Sequence, residues 1–179
     1  SRLQHIQPGD TVLVSKKPTG TLVMSHLLPG KRLYLLGTGT GLAPFMSMVR
    51  DFETYERFEH VVLAHGVRYA SELGYSEYLQ QELPQNEFFG DAVRENLLYY
   101  PTVTREPFRN RGRLSDLMES GTLFRDLGLP APNLADDRFM LCGSPSMLKD
   151  LGAILAARGF AEARHGDPAH YVIERAFVE

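Results

Sequence analysis

The sequence predicts an α/β fold, a doubly wound parallel sheet over residues 31–179, preceded in residues 1–30 by the tail of a β domain. Three observations predict it. Apolar runs of strand length alternate with helix-like segments from Arg32 onward. A glycine turn, Gly37-Thr38-Gly39-Thr40-Gly41, joins the first run to the first helical pattern. The residues able to bind an anion fall just after successive strand ends, and in doubly wound sheets ligands bind at the carboxyl ends of the strands.

Pro8-Gly9-Asp10 reads as a turn, Thr11 to Ser15 as a β-branched strand, Lys17-Pro18-Thr19-Gly20 as a second turn and Leu22-Val23-Met24 as a short strand. Pro29-Gly30 marks the boundary. Strands are then expected at 32–37, 60–65, 97–103, 137–142 and 170–174. Helices are expected at 42–57, 75–82, 113–119 and 145–157. Gly128, Pro130 and Pro132 make 126–136 a loop. Strands alternating with helices require a parallel sheet covered on both faces.

Composition narrows the function classes. The chain has 179 residues, 43% of them hydrophobic and 23% charged, as in ordinary globular proteins. A net charge of −3 and a pI near 6.1 argue against nucleic acid or an anionic membrane as partner. No apolar run approaches the roughly 20 residues that span a bilayer, and no signal peptide is evident. The single cysteine, Cys142, forms no internal disulfide and suits a reducing cytoplasm. The chain opens on Ser1-Arg2-Leu3, without an initiator Met and directly into structured-looking sequence, which suggests a fragment.

The glycine turn is the first candidate site. Glycine lets a backbone approach a ligand closely and adopt positive φ, and strand–turn–helix presents N–H groups to a phosphate. The spacing G-x-G-x-G lacks the Gly-Lys-Ser/Thr of a Walker loop. Alone, it fits a tight turn in any α/β protein as well as a nucleotide site.

An NAD-specific site places a carboxylate after the second strand to accept from the ribose 2′-OH. Here that strand end carries His65, then Val67 and Arg68. Thr104 and Arg105 follow the third strand, with Arg113 beyond. Guanidinium groups suit a 2′-phosphate because they donate in a planar fork and stay charged. The alternative is surface arginines paired with Glu106 or Asp116.

Cys142 ends Phe139-Met140-Leu141 and reads either as a buried small hydrophobe or as a side chain beside a nicotinamide ring. Ser144 is a good N-cap and Pro145 a good first residue for the helix that follows. His26, His60, His65, His165 and His170 show no metal-ligand spacing, so no metal site is expected. The absence of G-x-S-x-G removes a hydrolase elbow.

Together these motifs resemble the bacterial type of ferredoxin–NADP reductase, a FAD-dependent family. The resemblance rests on Gly37–Phe45 (GTGTGLAPF), His65-Gly66-Val67-Arg68, Thr104-Arg105-Glu106-Pro107, Gly112-Arg113, Cys142-Gly143-Ser144-Pro145-Ser146-Met147 and the closing Ala176-Phe177-Val178-Glu179. It covers essentially the whole chain. It implies NADP and FAD as cofactors, with NADP binding by Thr38, Gly39, Gly41, Val67, Thr104 and the 143–147 segment, and Arg68, Arg105 and Arg113 on the adenosine 2′-phosphate. It also implies that Thr40 reaches the flavin, that Cys142 and Glu174 lie at the hydride-transfer site, and that Ala176 and Phe177 pack on the flavin.

The implied reaction is hydride transfer between NADP(H) and FAD, coupled to one-electron exchange with ferredoxin or flavodoxin. The alternatives are an NADP-binding fragment without activity and a flavoreductase with another acceptor. The family's Arg-x-Tyr-Ser flavin signature is missing, so residues 1–30 correspond to only the end of the FAD-binding antiparallel β-barrel. Such a chain is expected to hold FAD poorly and to be inactive without the rest of the flavin domain.

Overall fold

The computed structural model describes residues 5–17, 20–164 and 166–175. Five strands, β1 (Arg32–Thr38), β2 (His60–Val67), β3 (Leu97–Val103), β4 (Asp137–Cys142) and β5 (Tyr171–Glu174), form one all-parallel sheet in the order β3-β2-β1-β4-β5. The chain starts at the centre, winds outward through β2 and β3, and returns to build β4 and β5 on the other side. The switch in winding direction therefore lies between β1 and β4, where Gly37 pairs with Cys142.

Alternation along each strand feeds two cores. Tyr34, Leu36, Val62, Ala64, Phe139 and Leu141 pack under α4 (Leu114–Glu119), α5 (Thr122–Asp126) and α6 (Pro145–Ala157). Leu33, Leu35, Val61, Leu63, Met140, Cys142 and Val172 pack under α1 (Leu42–Met48), α2 (Phe52–Arg57) and α3 (Gly90–Asn96). This is the doubly wound arrangement, with period-2 strands buried on both faces.

The expected strands appear within a residue or two of their predicted bounds, as do the helices at 113–119 and 145–157. Other elements differ. The helix expected over 42–57 breaks at residues 49–51, because Asp51 is extended and caps a second helix, its carboxylate accepting from Glu53 N at 3.0 Å. The helix expected at 75–82 is instead a π-helical turn, Tyr78–Glu82, running into a 3₁₀ turn, Leu83–Gln85. Pro84 explains this: its ring crowds the carbonyl four residues back and it has no N–H for an α-helical bond. The sequence reading missed α3 and α5.

The strands expected at 11–15 and 22–24 do not form. Among the described residues neither segment has a ladder partner, and Leu13 and Val14 are 100% and 82% exposed. Val12, Leu13 and Val14 read as a strand because they are apolar and the two valines are β-branched, but a strand exists only through its neighbour. Met24–His26 is a 3₁₀ turn. Just after it, Leu27 is buried in the α1-side core, and Leu28 N–H donates to Ala169 O at 3.0 Å. Arg138 donates to Leu28 O at 3.1 Å, tying the approach to β1 onto β4. Among the described residues no helix is long and apolar enough to cross a membrane.

Candidate functional site

The carboxyl ends of β1, β2, β3 and β4 surround a cleft of about 1150 Å³ at the switch point. Of the residues singled out from sequence, Thr38, Gly39, Thr40, Val67, Arg68, Thr104, Arg105, Arg113, Ser144, Pro145, Ser146 and Met147 line it. Residues more than 100 positions apart are thus brought to one wall.

The floor is made of two loops in close contact. A Cβ on Gly41 would lie 2.1 Å from Cys142 O, and one on Gly143 would lie 2.2 Å from Thr38 Oγ1. Ser144 N–H donates to Thr38 Oγ1 at 3.0 Å. These contacts need glycine at both places, so Gly41 and Gly143 act by letting β1 and β4 end side by side. Gly39, at φ +53°, makes the turn itself. Ser144 caps α6, accepting from Met147 N at 3.4 Å, with Pro145 next, as expected. The helix after the glycine turn is only the seven residues of α1.

The arginines stand at one end of the cleft. Arg105 N donates to Arg68 O at 2.9 Å and Thr104 N to Val67 O at 3.1 Å, which fixes the β3 exit against the β2 exit. Arg105 and Arg113 are exposed and make no ion pair among the described residues. Glu106 and Asp116 are engaged elsewhere, accepting from Ala70 N and from Ser115 Oγ respectively. The paired-arginine alternative is therefore not what the structure shows for these two.

Arg68 does have a partner, Glu72, at 3.5 Å. Glu72 also lines the cleft, a carboxylate that sequence reasoning missed. Its Oε2 accepts from Arg68 N at 2.8 Å and Tyr69 N at 3.3 Å. Those backbone bonds, with Arg68 and Arg105 nearby, hold its carboxyl below the usual carboxylate range. It serves the loop and is not free to accept from a ribose.

Cys142 and Glu174 are register partners on β4 and β5. The Cys142 side chain is buried in the α1-side core, and burial, then the Glu174 charge, pushes its thiol above the ordinary range. Glu174 accepts from Thr21 through both the backbone N (2.7 Å) and the hydroxyl. This pair adjoins the cleft floor without lining it. Ala176 and Phe177 lie outside the described residues.

His65 is a second residue missed as a site candidate. It is 2% exposed, lines the cleft, and places Nε2 3.2 Å from Gly39 O; burial lowers its pKa. Its place at a strand's carboxyl end was the signal available in the sequence.

Residues 35–152 match the oxidoreductase NAD-binding domain family. The chain is 61% identical over 180 residues to a ferredoxin–NADP reductase of Pseudomonas aeruginosa, covering all of this chain and 70% of that protein. It is 44% identical over 178 residues to a flavodoxin/ferredoxin–NADP reductase of Rhodobacter capsulatus, covering 99% of this chain and 66% of that one. A ferredoxin–NADP+ reductase from Neisseria gonorrhoeae, solved with bound FAD and NADP, superposes with a TM-score of 0.84 at 30% identity, over 98% of this chain and 68% of that one. The chain belongs to the ferredoxin–NADP reductase family, with an oxidoreductase NAD-binding domain at its centre.

Proposed function

We propose that this chain binds NADP(H) across the carboxyl edge of its sheet and serves hydride exchange with FAD, coupled to one-electron exchange with ferredoxin or flavodoxin. One observation carries the coenzyme reading: two exposed arginines without ion pairs, Arg105 and Arg113, join Arg68 at the end of a cleft whose floor is a glycine turn. Uncompensated guanidinium groups suit a dianionic 2′-phosphate. Glu72, the carboxylate beside Arg68, is tied to the backbone of its own loop and is not free to select NAD. Thr38, Gly39, Gly41, Val67, Thr104, Gly143, Ser144, Pro145, Ser146 and Met147 complete the coenzyme surface. In this assignment the capped N-terminus of α6 presents backbone N–H groups to the coenzyme.

The flavin supplies the ring that accepts and returns the hydride. Among the described residues, 5–17 and 20–26 build no sheet, and Thr40, the described one of the residues assigned to the flavin, lines the cleft. We assign residues 1–30 to the end of the flavin domain and 31–179 to the coenzyme domain. At the transfer end the chain contributes position. Cys142 keeps a neutral thiol, and Thr21 fixes the Glu174 carboxylate beside it. The compartment assigned is the cytoplasm, in keeping with a single buried free cysteine.

The test is Arg105→Ala. One charged hydrogen-bonding partner contributes about 1.5–3 kcal/mol, so 2′,5′-ADP should bind about tenfold more weakly or worse, with NAD binding almost unchanged. Equal losses for both would contradict the assignment.

A further inference from the structure

His65 has no part in the site assignment above, yet among the described residues it is the one buried imidazole at the cleft. It lies two residues before the end of β2, paired with Gly37 of β1, on the face covered by α1. Its Nε2 lies 3.2 Å from Gly39 O, and its Nδ1 is buried without a partner. A carbonyl oxygen can only accept, so Nε2 carries the proton and Nδ1 is the bare acceptor. Gly39 O also accepts from Leu42 N, using its second lone pair inside the turn.

Gly39 sits at φ +53° with nothing within 4 Å of where its Cβ would be, so side-chain packing does not hold this residue in place. Two contacts pin the turn from opposite sides: Ser144 N–H to Thr38 Oγ1 from the β4 side, and His65 Nε2–H to Gly39 O from the β2 side. The Gly39–Thr40 peptide is trans. In a trans peptide the carbonyl and the following N–H point in opposite directions. Holding Gly39 C=O toward His65 therefore fixes the direction of the Thr40 N–H, on a residue that lines the cleft.

We propose that His65 is a positioning residue for coenzyme binding. By donating from Nε2 to Gly39 O, it sets the orientation of the Gly39–Thr40 peptide that faces the coenzyme diphosphate. The proposal rests on the reading of this cleft as the NADP site. His65 acts through the turn, by its bond to Gly39 O.

The experiment compares NADP+ affinity of the chain, His65→Phe and His65→Gln, with 2′,5′-ADP binding to the unsubstituted chain as the control. Phe keeps a ring of similar size and removes the donor; the Gln amide nitrogen reaches close to the Nε2 position. Loss of one neutral hydrogen bond should weaken NADP+ binding of His65→Phe about fivefold. His65→Gln should stay within about twofold of the unsubstituted chain. Equal weakening in both variants, or none in either, would overturn the proposal.

If His65→Phe does not fold, ¹⁵N spectra of the unsubstituted chain decide. The Nε2–H tautomer supports the proposal and the Nδ1–H tautomer overturns it. Failure of the unsubstituted chain to bind 2′,5′-ADP would overturn the site reading, and this proposal with it. Loss of the His65 effect while 2′,5′-ADP still binds would overturn this proposal alone.

Discussion

Gly41 lies so close to Cys142 that a Cβ on it would stand 2.1 Å from the Cys142 carbonyl oxygen. The obstacle is backbone, which cannot rotate away as a side chain would. The contact joins the β1 exit to the β4 exit at the point where the sheet changes winding direction. Gly41→Ala should therefore push the two loops apart, costing about 2–3 kcal/mol of stability and at least about tenfold in NADP+ affinity through misplacement of Thr38 and Ser144. Gly39→Ala should cost only about 1 kcal/mol, since its penalty is the positive φ alone. Urea unfolding of both variants checks the ranking; a Gly39→Ala loss equal to that of Gly41→Ala would contradict it.

At the other end of β1 the sheet is held by a buried ion pair. Arg32 donates from Nε to Asp137 Oδ1 at 2.7 Å and from a terminal nitrogen to Oδ2 at 2.8 Å. Asp137 is fully buried, and Oδ2 also accepts from Asn133 N at 2.7 Å. Removing one partner leaves the other charge with little water, because the Arg32 side chain is 11% exposed. Asp137→Ala should destabilise the chain by about 3 kcal/mol or more. A loss under about 1 kcal/mol, the usual worth of a surface pair, would show that the pair is not buried in solution.

Burial lowers the pKa of His65, and burial together with Arg138 lowers that of His170. A lowered folded pKa means that the unfolded chain takes up these protons first as pH falls. Stability is then complete above the unfolded value, near 6.5, and is lost as pH drops from there through the folded value. Unfolding free energy should decline between about pH 7 and 5, and less steeply in His65→Gln. An identical slope in that variant would mean that His65 titrates normally in the folded chain.

Much of this was legible in the sequence, for identifiable reasons. β3, β4 and α6 match their expected spans because turn or capping residues flank apolar runs of the right length. Asp51 was an available signal for the break between α1 and α2, since Asp commonly begins a helix. The π turn at Tyr78–Glu82 depends on Pro84, which lies outside the span read as a helix. α3 has only Ala92 and Val93 as apolar residues within seven positions, too few to show a period. At the site, strand ends identified the arginines and the Ser144 cap. The closure of Glu72 onto Arg68 and of His65 onto Gly39 depends on loop geometry that no spacing encodes.

The central claim is that the cleft selects a 2′-phosphate. Calorimetric titration of the chain with 2′,5′-ADP and with 5′-AMP, alongside a visible absorption spectrum, tests it most directly. The account predicts binding of 2′,5′-ADP at least about a hundredfold tighter than 5′-AMP, as two or more charged contacts would give, whether or not flavin absorbance is present. Equal affinities, or no binding of either, would contradict it.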